Sequence, residues 1–200
     1  MDRLAQQLEF LADAGRLRGV QRQTMLTDPA RRENSAEHSW HLTVMALALA
    51  EHAPPGTNVS RVVAMLAVHD IVEVDAGDLF VYAGHAEHAR QQAAEQAAAE
   101  RIFGLLPADQ SASMRELWRD FEEGRSPEAR FARALDRLAP MLENVRAGGG
   151  TWREHGVTAD RVLANVALIE DGSAALGRFA RALVVQAVRD GMLAPGQRQQ

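Results

Sequence analysis

Apolar residues recur at three- and four-residue spacing along most of the chain, leucine and alanine dominate, and β-branched runs stay short. That spacing matches the helical repeat and not the alternation of a half-buried strand. The chain therefore reads as all-α, a compact multi-helix bundle with no credible sheet. A first helix is expected over about Asp2 to Ala14, with Leu4, Leu8 and Leu11 on one face and glycine stops at Gly15 and Gly19. An irregular segment, VQRQTMLTDPARRE, follows. Asn34 with Glu37 three residues later makes a capping box for a second helix, which continues through HSWHLTVMALALAEHA to Pro54-Pro55-Gly56. A third, capped by Asn58 or Ser60, should carry RVVAMLAVHDIVEV without interruption to Gly77.

After a loop around FVYAGH, the alanine- and glutamine-rich stretch from about Glu87 to Phe103 has high helix propensity. Pro107 and Gly124 bracket the next helix. Ser126-Pro127 is a cap-plus-proline start for EARFARALDRLAPMLENV, in which Pro140 should bend the helix or end its regular part. Helices over about Ala159 to Ile169 and Ala174 to Arg189 complete the bundle and leave the tail APGQRQQ frayed.

Composition narrows the function. The 200 residues, 46% hydrophobic and 24% charged, are expected to form one domain over 1–200, with a core over about 4–185. Lysine and arginine number 22 against 27 acids, a net charge of −5, so the basic excess of a nucleic-acid binder is missing. There is no cysteine, which excludes disulfides, thiolate ligands and a cysteine nucleophile; any metal must be held by nitrogen and oxygen. No apolar run approaches the roughly 20 residues of a membrane span, so no membrane partner is expected and the cytoplasm is the default address.

Three pieces each place a metal-competent side chain on an otherwise apolar helix: His38 in NSAEHSWH, His69-Asp70 in AVHDIVE and Asp136 in RALDRLAP. Two imidazoles and two carboxylates, brought together by packing three helices, suit one divalent transition-metal ion with positions left for water. Manganese, cobalt, nickel, iron and zinc all fit nitrogen and oxygen donors. On its own, Asp136 reads as an ion-pair partner of Arg133 or Arg137, and a lone histidine on a helix as a core or surface residue. His52, His85, His88 and His155 are read that way, while His41, three residues from His38, stays open by spacing.

The order His, adjacent His-Asp, then distant Asp on successive helices resembles the HD-domain superfamily of metal-dependent phosphohydrolases. The stretches RRENSAEHSWHLTVMALALAEHA, VHDIVEVDAGD and ARFARALDRLAPMLEN resemble its 5'-deoxynucleotidase-like subgroup over roughly Leu4 to Val185. The resemblance implies metal ligands at His38, His69, Asp70 and Asp136, and a packing or supporting place for His41. It implies that Glu73 positions or deprotonates the attacking water, that Asp78 lies near the sugar and phosphate, and that Arg22 contacts the phosphate. Gln23 follows Arg22 where the nucleotidases carry an aromatic residue that helps exclude a ribose 2'-hydroxyl, so preference for deoxyribose is not implied. Asp75 has no counterpart. Arg31 and Arg32 read as surface residues.

The expected activity is release of inorganic phosphate from a (deoxy)nucleoside 5'-monophosphate or similar small phosphomonoester. A dinuclear-iron oxygenase of the same fold would need further histidines, for which His85 and His88 are the candidates. A non-catalytic nucleotide- or metal-binding module would have no use for Glu73 and Asp78. The resemblance also implies a homodimer, for which ALVVQAV offers one surface, although a terminal amphipathic helix more commonly packs on its own core.

Overall fold

The computed structural model describes residues 2–26 and 31–196. The last four residues of the expected frayed tail, and 27–30 of the segment read as irregular, lie outside that range. Helix α1 spans Arg3–Ala14 and passes into a 3-10 turn over Gly15–Gly19. Its leucine face points outward: Leu4, Leu8 and Leu11 are exposed, and Phe10 is the residue that packs inward.

The segment expected to be irregular contains a small antiparallel hairpin. Strand β1, Gln21–Met25, pairs with β2, Arg32–Asn34, in the register Gln21 to Asn34 and Met25 to Arg32, with an irregularity between. The reading without a sheet is corrected at this point. Two polar strands this short carry no hydrophobic alternation to detect. They are held by local bonds, including one from Arg32 to the Gln23 carbonyl, and by the burial of Thr24 and Glu33.

Asn34, the last residue of β2, also starts α2, Ser35–Ala48. Its side chain accepts from the Glu37 N–H, and the Glu37 carboxylate accepts from the Asn34 N–H. Helix α3, Val59–Val68, starts from an Asn58 cap as expected but does not continue to Gly77. A 3-10 turn over His69–Val72 intervenes before the short α4, Glu73–Ala76, which Gly77 closes at φ 75°. A tighter turn advances each residue further around the axis than an α-helix does, so it changes which side chains face inward.

Helices α5, His85–Phe103, and α6, Ala108–Glu123, pack against each other; α6 ends in a left-handed Gly124. Helix α7, Pro127–Arg146, has the expected Ser126 cap and runs through Pro140 to Arg146. Pro140 has no N–H to offer the Asp136 carbonyl one turn earlier. Gly148, Gly149 and Gly150 all take positive φ and turn the chain into α8, Gly150–Glu154, an element not expected from the sequence; it sets Trp152 in the core. Helices α9, Ala159–Gly172, and α10, Ala174–Arg189, follow, and the chain is tied at Ala194, whose carbonyl accepts from the Ala159 N–H at 2.9 Å.

Helix α7 organises the bundle. Phe131, Ala132, Ala134, Leu135, Leu138 and Met141 are buried on it, and it packs against α2, α3, α6, α9 and α10. Each such large apolar side chain contributes about 1.5–3 kcal/mol on leaving water, and the all-round burial also draws Asp136 inside. On α10, Val184 and Ala187 pack inward, so much of ALVVQAV belongs to the core.

The α7–α9 crossing leaves no room at Gly172, where a Cβ would meet the Arg130 carbonyl oxygen at 2.2 Å and the Ala134 Cβ at 2.7 Å. Gly172→Ala is expected to lower stability by about 1–3 kcal/mol, read as a fall in the urea midpoint at unchanged slope. An unmoved midpoint would show that the crossing has slack.

Candidate metal centre and its clefts

The helix packing brings His38 from the second turn of α2, His69 from the 3-10 turn and Asp136 from the middle of α7 to one buried point. One donor atom from each lies within 4.8 Å of the others. His38 Nε2 is 3.0 Å from Asp136 Oδ1, and His69 Nε2 is 3.9 Å from the same oxygen. Asp70 stands beside this group and is not one of its three members. Its Oδ1 lies 3.0 Å from His69 Nε2 and its Oδ2 3.0 Å from Arg22 Nη1.

The geometry of His69 indicates what the group holds. Its Nδ1 lies 3.0 Å from the Leu66 carbonyl oxygen, which can only accept, so Nδ1 carries the proton. Burial depresses the His69 pKa despite the carboxylates of Asp70 and Asp136, so the ring is neutral and Nε2 presents a lone pair. That nitrogen is buried without a hydrogen-bond partner while carboxylate oxygens face it. A lone pair and carboxylate oxygens repel unless a cation lies between them, and the nitrogen and oxygen donors fit a divalent transition metal.

His38 is fully buried between two acids. Nδ1 lies 3.4 Å from Glu33 Oε2, opposite the Nε2 that meets Asp136. Burial opposes its charge, as does Arg22, but Asp136 and Glu33 outweigh both and raise its pKa to about 8. Burial likewise works against the Asp136 carboxylate, yet His38 and Arg137 hold it far below the ordinary carboxylate range.

The hairpin delivers Arg22 to this point. Its guanidinium faces Asp70 at 3.0 Å, Asp78 at 3.4 Å, Glu33 at 3.5 Å and Glu73 at 3.8 Å. Burial and the adjacent Asp70 push the Glu73 carboxyl up to about 9, against the pull of Arg22, and Ser35 Oγ donates to its Oε2 at 2.5 Å. Burial also raises the Asp78 carboxyl.

Two clefts open from the centre. One is lined by Arg22, Gln23, Asp78 and Asp136 with Phe80 and Tyr82. The other is lined by His69, Asp70, Glu73, His88, Glu122 and Arg137. Arg137 reaches both.

His38, His69, Asp70, Asp136, Glu73, Asp78 and Arg22 thus converge. His41 does not; its ring lies 6.4 Å from that of Trp40. His155 packs on Phe80 at 4.5 Å. Asp75 turns outward to Arg101, which also holds Asp13 of α1, and this accounts for the one acid of VHDIVEVDAGD that the sequence left unexplained. Arg31 pairs with Glu37 and Arg32 with Glu154, as surface residues do. Sequence reasoning missed Glu33, Ser35 and Arg137. The adjacency of Glu33 and Ser35 to the Asn34 cap was the available signal for the first two.

A model of the HD domain matches residues 14–176. The chain is 30% identical to the 5'-deoxynucleotidase HDDC2 of Homo sapiens over 137 residues, 68% of this chain and 65% of the human protein. It is 24% identical to the 5'-deoxynucleotidase hdd1 of Schizosaccharomyces pombe over 124 residues, 59% of this chain and 61% of that one. The chain thus spans less than two thirds of either relative's length. Its backbone superposes with a TM-score of 0.92 on the crystal structure of a "Predicted metal-dependent phosphohydrolase" from Magnetospirillum magnetotacticum MS-1, at 50% identity over 96% of each chain.

Carboxylates that orient a ligating histidine contribute strongly to metal affinity. Glu33→Gln is expected to weaken divalent-ion binding about 10–100-fold, measured by competition with a chelator. Unchanged affinity would show that Glu33 does not orient His38.

Proposed function

This chain belongs to the HD domain family, and on that footing we propose that it is a metal-dependent phosphohydrolase that releases inorganic phosphate from (deoxy)nucleoside 5'-monophosphates. One observation carries the reading. A buried site with the donors for a dication also gathers a phosphate-competent arginine and a carboxyl of raised pKa where two clefts open. The names of the matched nucleotidases support the substrate class.

His38, His69, Asp70 and Asp136 would hold the ion. When bound, it supplies a Lewis acid for the phosphoryl oxygens and acidifies water. Glu73, held by Ser35, orients the attacking water; ionised once positive charge occupies the neighbouring donors, its carboxylate takes the proton as the new P–O bond forms. Arg22 meets the phosphoryl oxygens with a guanidinium already fixed by carboxylates. The ester P–O bond breaks, the proton that Glu73 took from water passes on to the leaving alkoxide, and a nucleoside and phosphate result. Phe80 and Tyr82 give the first cleft an aromatic wall suited to a base, and Asp78 and Gln23 flank the path to the sugar. With glutamine at position 23, ribo- and deoxyribonucleotides both fall within the proposal.

A dinuclear-iron oxygenase would need His85 and His88 beside the metal donors, and neither belongs to the group formed among the described residues. No helix among those residues is long and apolar enough to cross a membrane. The proposal takes the chain as one domain working in the cytoplasm. It includes a second copy of the chain as partner, supported by the exposed apolar side chains Leu4, Leu8 and Leu11 of α1 and Trp40, Val44 and Leu47 of α2.

The test is phosphate release from a panel of ribo- and deoxyribonucleoside monophosphates after metal stripping, with single divalent ions added back. Activity should vanish on stripping and return with a transition metal. Phosphate release by no combination of ion and nucleotide contradicts the reading. Glu73→Gln should keep the metal and lose about 10²–10⁴-fold in kcat; an unchanged kcat would remove Glu73 from the mechanism.

A further inference from the structure

We propose that Arg137 is a second phosphate-contacting cation of this site, reaching the substrate from α7 while Arg22 reaches it from β1. The inference rests on the hydrolase reading above and assigns a residue that the sequence offered only as an ion-pair partner for Asp136.

The charge around Arg22 gives the first reason. Four carboxylates, those of Asp70, Asp78, Glu33 and Glu73, lie 3.0–3.8 Å from its guanidinium. A guanidinium so surrounded is well placed to direct a phosphoryl group but adds little net positive potential for a dianion. Five carboxyl groups line the centre when Asp136 is included, and a phosphate entering among them needs cationic charge on the cleft side as well.

The division of labour at Asp136 gives the second. Its Oδ1 faces His38 and His69, whereas its Oδ2 lies 3.6 Å from Arg137 Nη1. The guanidinium is thereby set beside the metal donors, on the outer edge of a carboxylate whose inner edge they share. It lines both clefts, so a group seated at their junction meets it from either direction.

The third reason is an unmatched donor. Arg137 Nε is buried without a hydrogen-bond partner, although 30% of the side chain is open to solvent. A buried N–H calls for an acceptor, and a phosphoryl oxygen is one that the planar guanidinium fork fits. Arg133, one turn earlier, differs in this respect: its guanidinium donates to the carbonyls of Phe121 and Glu122.

The experiment measures binding of inorganic phosphate by calorimetry to metal-loaded wild type, Arg137→Ala and Arg137→Lys, with the metal content and metal affinity of each. At saturating metal Arg137→Ala should bind phosphate about tenfold or more weakly, beyond any change in its metal affinity, and Arg137→Lys should recover only part of the loss, since an ammonium cannot present the paired contact. Phosphate affinity in Arg137→Ala equal to wild type at saturating metal overturns the proposal. So does a loss confined to metal affinity, which would make Arg137 a positioning residue for Asp136. Arg137→Lys supplies the comparison if the alanine variant does not fold: wild-type phosphate affinity in it overturns the bidentate contact. Failure of wild type to hydrolyse any monoester while it still binds phosphate through Arg137 would refute the hydrolase reading and leave this contact standing.

Discussion

The structure depends on a carboxylate placed where a bundle of this kind would otherwise put a leucine. Asp136 lies in the middle of α7, the helix against which α2, α3 and α9 pack, and it is buried together with its apolar neighbours Leu135 and Leu138. An ionised group at such a position is costly unless paired. His38 and His69 approach one oxygen and Arg137 the other, so the partners that one buried side chain gathers fix the faces that α2 and the end of α3 turn toward α7. Packing and chemistry are set by the same contact.

Two departures from regular helix follow from that constraint. Were α3 to continue as an uninterrupted α-helix, His69 and Asp70 would diverge by about 100° around its axis. The 3-10 turn over His69–Val72 turns by about 120° per residue and spreads these side chains further still, so it is the packing of α2, α5 and α6 around the turn that buries His69, Asp70 and Glu73 beside the centre. The hairpin does similar work from the other side. It is too short and polar to stand alone, yet it runs into the α2 capping box and so fixes Glu33 against His38 and Arg22 against Asp70. Irregular backbone is concentrated where several ionisable groups must meet.

The helices were legible because their signals are local. The Asn34 and Asn58 caps, the Ser126-Pro127 start and the Gly124 stop each act within one turn, and the structure uses all of them. The hairpin was illegible because its stability comes from tertiary burial of Thr24 and Glu33, which pattern cannot register. The α1 leucines were visible as a face, but periodicity does not say which way a face points. At the centre, residues carrying rare chemistry on apolar helices stood out, whereas Glu33, Ser35 and Arg137 did not. Their places depend on distances across the fold, and each looks ordinary in its own neighbourhood: a strand acid, a helix-start serine, an arginine beside an aspartate.

The central claim is that a cation ties His38, His69 and Asp136 together. Anomalous scattering from crystals equilibrated with Mn²⁺ tests it directly. The account predicts a single strong peak between His38 Nε2, His69 Nε2 and an oxygen of Asp136, at coordination distance from each, with the His69 Nδ1 bond to the Leu66 carbonyl retained. No peak at that point at saturating Mn²⁺, with His38 still bonded directly to Asp136, would contradict it.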